Sequence, residues 1–230
     1  MAKIRLGALA GSVSGSIGTY TFSRNRYGAY VRVRTKPIQP DTPYTQNVHT
    51  WLTTISKAWN LLPPEYQMAW KTWAAVNPIR DALGDAHILQ PNAAAIGLNY
   101  RSFAAGGSGL VTPPVTPPPL ALTSLTAEFD IGAGDYELNW TPDPLPPNCA
   151  LWILSAVVPR PGITYVKNLR KFLGPSAAAQ ACPFDIEALT IARFGTLAAG
   201  LYVHHSVAVV DLTSGLLSSP LTTTGQIVST

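Results

Sequence analysis

Residues 201–210 read Leu-Tyr-Val-His-His-Ser-Val-Ala-Val-Val, a run rich in β-branched and apolar side chains. This composition favours a β-strand, because branched and aromatic side chains pack well on a pleated surface. Five more segments of the C-terminal half have the same character: 121–129, 136–141, 150–157, 165–172 and 221–228. Gly, Pro, Asp and Ser separate them at intervals typical of an antiparallel β-sandwich. One short helix, at about residues 185–194, interrupts the series.

The middle of the chain has helical periodicity instead. Asp41 or Thr42 can cap a first helix, and Pro43 suits its first turn. Spacings of four and three then place one apolar stripe on this helix, at Val48, Leu52, Ile55, Trp59 and Leu62. Pro63 and Pro64 end it and begin a second helix, which stops near residues 77–78. A third short helix is predicted after residue 92.

The N-terminal segment predicts a basic β-hairpin that follows a glycine-rich arm. Its first 36 residues contain seven Lys or Arg and no Asp or Glu. Residues 19–23 and 29–34 have strand-like side chains, and the turn Asn25-Arg26-Tyr27-Gly28 joins them. In the second strand Tyr30, Arg32 and Arg34 share one face, and the two valines share the other.

Residues 106–119 combine a Gly/Ser-rich run with a Pro-rich run, a composition typical of a linker. The predicted fold class is therefore α+β, with a β-hairpin arm and short helices linked to a C-terminal antiparallel sandwich. The predicted domains are 1–105 (arm, hairpin and helical assembly region), 106–119 (Gly/Pro-rich linker) and 120–230 (β-sandwich).

Charge favours a protein that associates with other proteins. Only 12% of the residues are charged, against about 25% in ordinary globular domains, and so weakly charged a surface promotes contact between copies. Residues 1–110 carry eleven cations and four acids (+7), whereas residues 111–230 carry five and eight (−3). No apolar run reaches the ~20 residues that a membrane helix needs. We therefore expect synthesis in the cytosol, with Cys149 and Cys182 as free thiols.

Chemistry-bearing motifs are missing from the sequence. No histidine has a zinc-site spacing, no Gly-x-Ser-x-Gly elbow occurs, and no phosphate-binding lysine follows a glycine-rich turn. His204 and His205 are adjacent on a predicted strand, so they face opposite ways and cannot share a metal. We expect no enzymatic activity, no cofactor and no bound metal.

The basic hairpin is the one functional signal, and its candidate interaction residues are Arg24, Arg26, Tyr27, Tyr30, Arg32 and Arg34. The segment could lay its cations and strands on an acidic neighbouring subunit, which is the interpretation we favour. The cations could instead hold phosphates while Tyr20, Phe22, Tyr27 and Tyr30 stack on bases. A merely solvated strand face is the third alternative.

Two parts of the chain resemble known families. Leu138-Asn139-Trp140-Thr141-Pro142, with residues 201–220, resembles the second strand, the tyrosine-bearing strand and the following turn of a fibronectin type III-like or immunoglobulin-like domain. The helix near residues 185–194 departs from that pattern and leaves the strand count and order open. Residues 11–75 resemble tailed-phage and prophage structural proteins, through the Gly-rich opening, the Ser-Arg-Asn-Arg-Tyr-Gly hairpin and the two tryptophan-bearing helices.

The resemblance to tailed-phage and prophage structural proteins implies a virion component, made in the host cytoplasm. The first expectation is a capsid-associated role, as a decoration, cement or minor capsid protein, and the second is a tail or head–tail connector. Expected partners are further copies of this chain and other virion proteins, with weak, non-specific contact with nucleic acid and no membrane. A carbohydrate-binding module, using Trp152 and Tyr165, and a DNA-contacting module are the rivals.

Overall fold

The computed structural model describes residues 2–3, 15–25, 28–34, 42–80, 85–133 and 136–229. The chain divides into two compact units, Met1–Gln46 and Asn47–Thr230. Helices and antiparallel sheets are both present, so the predicted α+β class is confirmed. Within the described ranges, no helix combines the length and the apolar character that crossing a bilayer requires.

The N-terminal unit contains a four-stranded antiparallel sheet. Its strands are β1 (Ala2–Lys3), β2 (Gly15–Ile17), β3 (Tyr20–Asn25) and β4 (Gly28–Val33), in the order β1-β4-β3-β2. The predicted hairpin is therefore confirmed as β3 and β4. The glycine-rich segment, predicted to be an arm, contributes strands as well, because Gly18 at φ 58° allows the tight reversal from β2 into β3.

Three helices follow, and each begins with a proline that pre-sets the helical backbone angle. They are α1 (Pro43–Leu61), α2 (Pro64–Val76) and α3 (Pro91–Ala104). Thr42 caps α1, since its hydroxyl oxygen accepts the Thr45 N–H at 3.3 Å, whereas Asp41 lies outside the described residues. A short hairpin of β5 (Ile79–Arg80) and β6 (Ala86–His87) lies between α2 and α3.

The C-terminal segment forms two antiparallel sheets. The strands are β7 (Ser124–Ala127), β8 (Glu137–Thr141), β9 (Cys149–Val158), β10 (Lys171–Pro175), β11 (Phe184–Asp185), β12 (Tyr202–Asp211) and β13 (Leu221–Gln226). One sheet has the order β10-β9-β12-β13 and the other β11-β8-β7, with helix α4 (Glu187–Phe194) after β11. The two sheets share one hydrophobic core, which Leu138, Trp140, Leu151, Ile153, Val203 and Val207 help to fill.

One strand prediction was wrong over most of its length. Residues 165–172 were expected to be extended, but β10 begins only at Lys171. The Val166 carbonyl accepts the N–H groups of Leu169 and Arg170, which makes a turn there. Val166 is itself buried against Ala156 and Val158, so its apolar character reflects loop packing and not strand pairing.

The compact units do not divide at the predicted linker. Helix α3 packs against the C-terminal sheet β10-β9-β12-β13, where Ala104 and Ala105 contact Trp152 and its neighbours. The Ser102 hydroxyl also donates to the Leu212 carbonyl at 2.6 Å. Helix α3 and both C-terminal sheets therefore belong to the one unit Asn47–Thr230.

The first residues of the predicted linker are packed on that unit. The Leu110 N–H donates to Asn99 Oδ1 at 2.5 Å, and the Trp70 indole donates to the Val111 carbonyl at 3.1 Å. A Cβ at Gly107 would lie 2.2 Å from the Leu212 carbonyl oxygen. Glycine stands at residue 107 because two backbone segments meet there, and not because the segment is flexible.

Candidate assembly surface

The register of the N-terminal sheet places its apolar side chains on one side. Tyr20 pairs with Val33, Phe22 with Val31 and Ile17 with Tyr20. Residues directly opposite each other in antiparallel strands project to the same face. We call the surface formed by Ile17, Tyr20, Phe22, Val31 and Val33 the apolar face.

The apolar face is largely uncovered. Ile17 is 69% exposed, Val33 63% and Tyr20 51%. None of the described side chains of Met1–Gln46 is buried, so the described part of this unit has no closed core. An ordinary sheet buries at least one face against a second layer of structure, and here that layer is not supplied by the described residues.

The other side of the sheet is polar and positively charged. Tyr30 pairs with Ser23 and Arg32 with Thr21, and the Ser16 and Thr21 hydroxyls are 3.1 Å apart. Both Arg32 and Arg34 are exposed, and the Arg34 N–H extends the pairing by donating to the Thr19 carbonyl at 2.7 Å. We call the surface formed by Tyr30, Arg32 and Arg34 the basic face.

The six candidate residues are thus located only in part. Tyr30, Arg32 and Arg34 share one face, as predicted. Arg24 pairs with Ala29 in the backbone ladder, while Arg26 and Tyr27 lie outside the described residues. The rings of Tyr20 and Phe22, expected to stack on bases beside the cations, lie on the apolar face instead. This separation removes two rings from the predicted nucleic-acid arrangement.

The tryptophan invoked for carbohydrate binding does not lie at the surface. Trp152 is buried, stacks on Phe172 at a centroid distance of 4.0 Å and meets the edge of Tyr100 at 6.4 Å. It packs under α3, so its prediction as an exposed sugar platform was wrong. Tyr165, the second residue of that hypothesis, is 72% exposed.

One buried polar pair was not foreseen. His205 pairs with Ser155 across β12 and β9, and its Nδ1 hydrogen-bonds the Ser155 hydroxyl in the core. The imidazole stacks on Phe129 and meets Tyr136 edge-on. Burial, with a smaller contribution from neighbouring His204, lowers the pKa of His205 to about 3. Both side chains are fully buried, so the pair is closed off from solvent in this structure.

A small apolar cavity of about 170 Å³ lies in the helical part of the larger unit. Ile55 and Trp59 of α1, Ala95 and Phe103 of α3, and Leu110 are among its walls. The polar atoms of nearby Asn99 are already used, since its amide donates to the Ala95 carbonyl and its oxygen accepts the Leu110 N–H. The cavity therefore offers contact area and little directional chemistry.

The described residues bring no metal-binding cluster together. No group of three or more His, Cys, Asp or Glu there could hold a metal ion. Cys149 and Cys182 are free thiols, as expected, and burial raises the pKa of both. The N-terminal sheet, with its two unlike faces, is accordingly the best candidate for a functional surface. No protein-family model, curated protein or solved structure matches this chain.

Proposed function

We propose that this chain is a non-enzymatic structural protein of a tailed-bacteriophage particle, associated with the capsid as a decoration, cement or minor capsid protein. Its N-terminal unit attaches it to a neighbouring virion protein through the apolar face. The observation that carries the proposal is the exposure of Ile17, Tyr20 and Val33 on a sheet whose described residues enclose no core.

The exposed apolar side chains of this face are a source of binding free energy. Burying an apolar side chain of this size is worth about 1.5–3 kcal/mol. Covering Ile17, Tyr20 and Val33 would therefore gain roughly 5 kcal/mol before association costs are subtracted. A partner that lays an apolar surface on this sheet would complete a two-layer structure, which is the arrangement in which sheets are stable.

The phage assignment rests on the resemblance of residues 11–75 to tailed-phage structural proteins. The described parts of that segment have the hairpin and the paired helices that the resemblance leads one to expect. The low charged fraction, 12%, also suits a chain whose surface is covered by neighbours.

For residues 120–230 we propose a fibronectin type III-like sandwich. A three-stranded sheet in the order β11-β8-β7 and a four-stranded sheet in the order β10-β9-β12-β13 suit that topology, and Trp140 of the second strand is buried. Such a domain would project from the particle or bridge neighbouring subunits, while the N-terminal unit provides the attachment.

Polar substitutions on the apolar face test the attachment. A chain with Tyr20→Ser and Val33→Ser should be incorporated into particles at least about tenfold less than the natural chain, because each exposed apolar group contributes roughly 1–2 kcal/mol only once it is docked. The measurement is quantitative mass spectrometry of particles assembled with each chain.

The control carries Thr21→Ala and Ser23→Ala on the opposite face of the same sheet, where both changes leave Arg32 and Arg34 in place, and it should be incorporated normally. Because all of these side chains are exposed or half-buried in the free chain, thermal unfolding of the free proteins should barely change. Equal incorporation of the apolar-face variant and its control would overturn the proposed attachment.

A further inference from the structure

Charge is segregated along the chain in a way that the attachment does not explain. The first 40 residues carry seven Lys or Arg and no acid. Residues 102–159 show the reverse, with five Asp or Glu and no Lys or Arg. By unit, Met1–Gln46 holds seven cations and one acid, a net +6, and Asn47–Thr230 holds nine cations and eleven acids, a net −2.

The acidic stretch supplies two of the three strands of the smaller C-terminal sheet. Glu137 of β8 pairs directly with Asp185 of β11, and the Glu128 N–H donates to the Glu137 carbonyl at 3.0 Å. These three residues therefore stand side by side across the sheet, at about the 4.8 Å spacing of neighbouring strands. We call Glu128, Glu137 and Asp185 the acidic row.

The acidic row lies on the outer side of its sheet. Leu138 and Trp140 alternate with Glu137 along β8 and are buried in the core, so Glu137 projects outward. Glu128 and Asp185 are exposed. The strands β7, β8 and β11 contain no Lys or Arg that could offset them. Like charges opposite each other in a sheet are unfavourable, and a cationic partner would relieve that cost.

We propose that the basic face of one copy docks on the acidic row of a second copy, so that the chains associate head to tail. This inference rests on the proposed function and names a second partner for the same N-terminal sheet. Each copy presents both members of a complementary pair, Arg32 and Arg34 on one sheet and three carboxylates on another. The two faces of the N-terminal sheet would then bind different surfaces, the apolar face a virion protein and the basic face a sister chain.

A heterologous contact of this kind closes into a ring or continues as an open chain, because the two contacting surfaces differ. Protein is favoured over nucleic acid as the occupant of the basic face for two reasons. The rings of Tyr20 and Phe22 are on the opposite side from Arg32, and a matching anionic surface exists on the chain itself.

Charge reversal in two separate chains tests the contact. One full-length variant carries Arg32→Glu and Arg34→Glu, and the other carries Glu128→Lys and Glu137→Lys. By native mass spectrometry and light scattering, the natural chain should form oligomers that weaken when salt is raised from about 50 to 500 mM. Each variant alone should associate at least about tenfold more weakly. Mixing the two should restore one-to-one association, because the natural basic face of the second variant fits the natural acidic row of the first, and the reversed surfaces fit each other.

The control variant reverses two exposed cations elsewhere, with Arg160→Glu and Lys167→Glu, and should associate like the natural chain. A natural chain that stays monomeric at 100 µM in low salt, or variants that associate normally, would overturn the inference. So would a basic-face variant that associates normally but loses affinity for duplex DNA, which would assign that face to nucleic acid. The proposed attachment is judged separately, by the incorporation of the Tyr20 and Val33 variant.

Discussion

Replacing Gly215 with Ala should destabilise the Asn47–Thr230 unit by about 3 kcal/mol, from about 1 kcal/mol of left-handed backbone strain and about 2 kcal/mol of steric overlap. Gly215 has φ 66°, in the turn after β12. A Cβ there would lie 2.1 Å from the Leu98 carbonyl oxygen and 2.8 Å from its carbon. Leu98 is inside α3, so its carbonyl cannot move aside without disturbing the helix.

Urea unfolding followed by tryptophan fluorescence measures this effect. The matched control is Gly106→Ala, at φ 90° with no atom within 4 Å of the added Cβ, and it should lose only the backbone term of about 1 kcal/mol. Equal stabilities of the two variants would mean that α3 is not seated on the turn after β12, and the description of helices and sheets as one unit would fail.

Acidification should weaken the protein through His205. Its pKa is about 3 in the folded protein because the ring is buried, against about 6.5 when it is exposed in the unfolded chain. Between these values the unfolded chain binds the proton and the folded chain does not. This contribution to stability is therefore complete above about pH 6.5 and is lost as the pH falls toward 3, at up to about 1.4 kcal/mol per pH unit.

Between pH 7 and pH 5 the expected loss of unfolding free energy from this group is about 2 kcal/mol. A His205→Gln chain, which cannot take up the proton, should have a much flatter pH profile, whatever its stability at pH 7. The matched control is His49→Gln, which replaces an exposed histidine on α1 and leaves the buried Ser155–His205 pair untouched. A His205→Gln chain with the natural slope over pH 5–7 would show that another group carries the acid sensitivity.

The elements that local sequence determines were predicted well. The stripe at Val48, Ile55 and Trp59 and the proline at the start of each helix give local signals, and α1, α2 and α3 follow them. The alternation of Tyr30 and Arg32 with two valines likewise indicated the two faces of β4, and Arg34 follows directly after the strand. In such segments the period of the side chains and the backbone preference agree.

The sequence was misleading or silent where packing between separate segments of the chain determines the structure. Gly107 and Gly109 have a linker-like composition, but a Cβ at Gly107 would meet the distant Leu212 backbone, and one at Gly109 would meet Asn99 and Phe103 of α3. The sequence around Trp152 does not indicate that it is buried, because the helix that covers it, α3, comes much earlier in the chain. The acidic row could not be identified from sequence, since the short strand β11 that pairs Asp185 with Glu137 gives no periodic signal.

Electron cryo-microscopy of intact particles, purified from cells that produce this chain, would locate the chain and its contacts directly. We expect the sheet of β2, β3 and β4 to lie against a virion protein, with Ile17, Tyr20 and Val33 buried in that contact and residues 120–230 bridging or projecting. Purified particles that lack the chain, or a chain attached through its C-terminal sheets with Tyr20 and Val33 facing solvent, would contradict it.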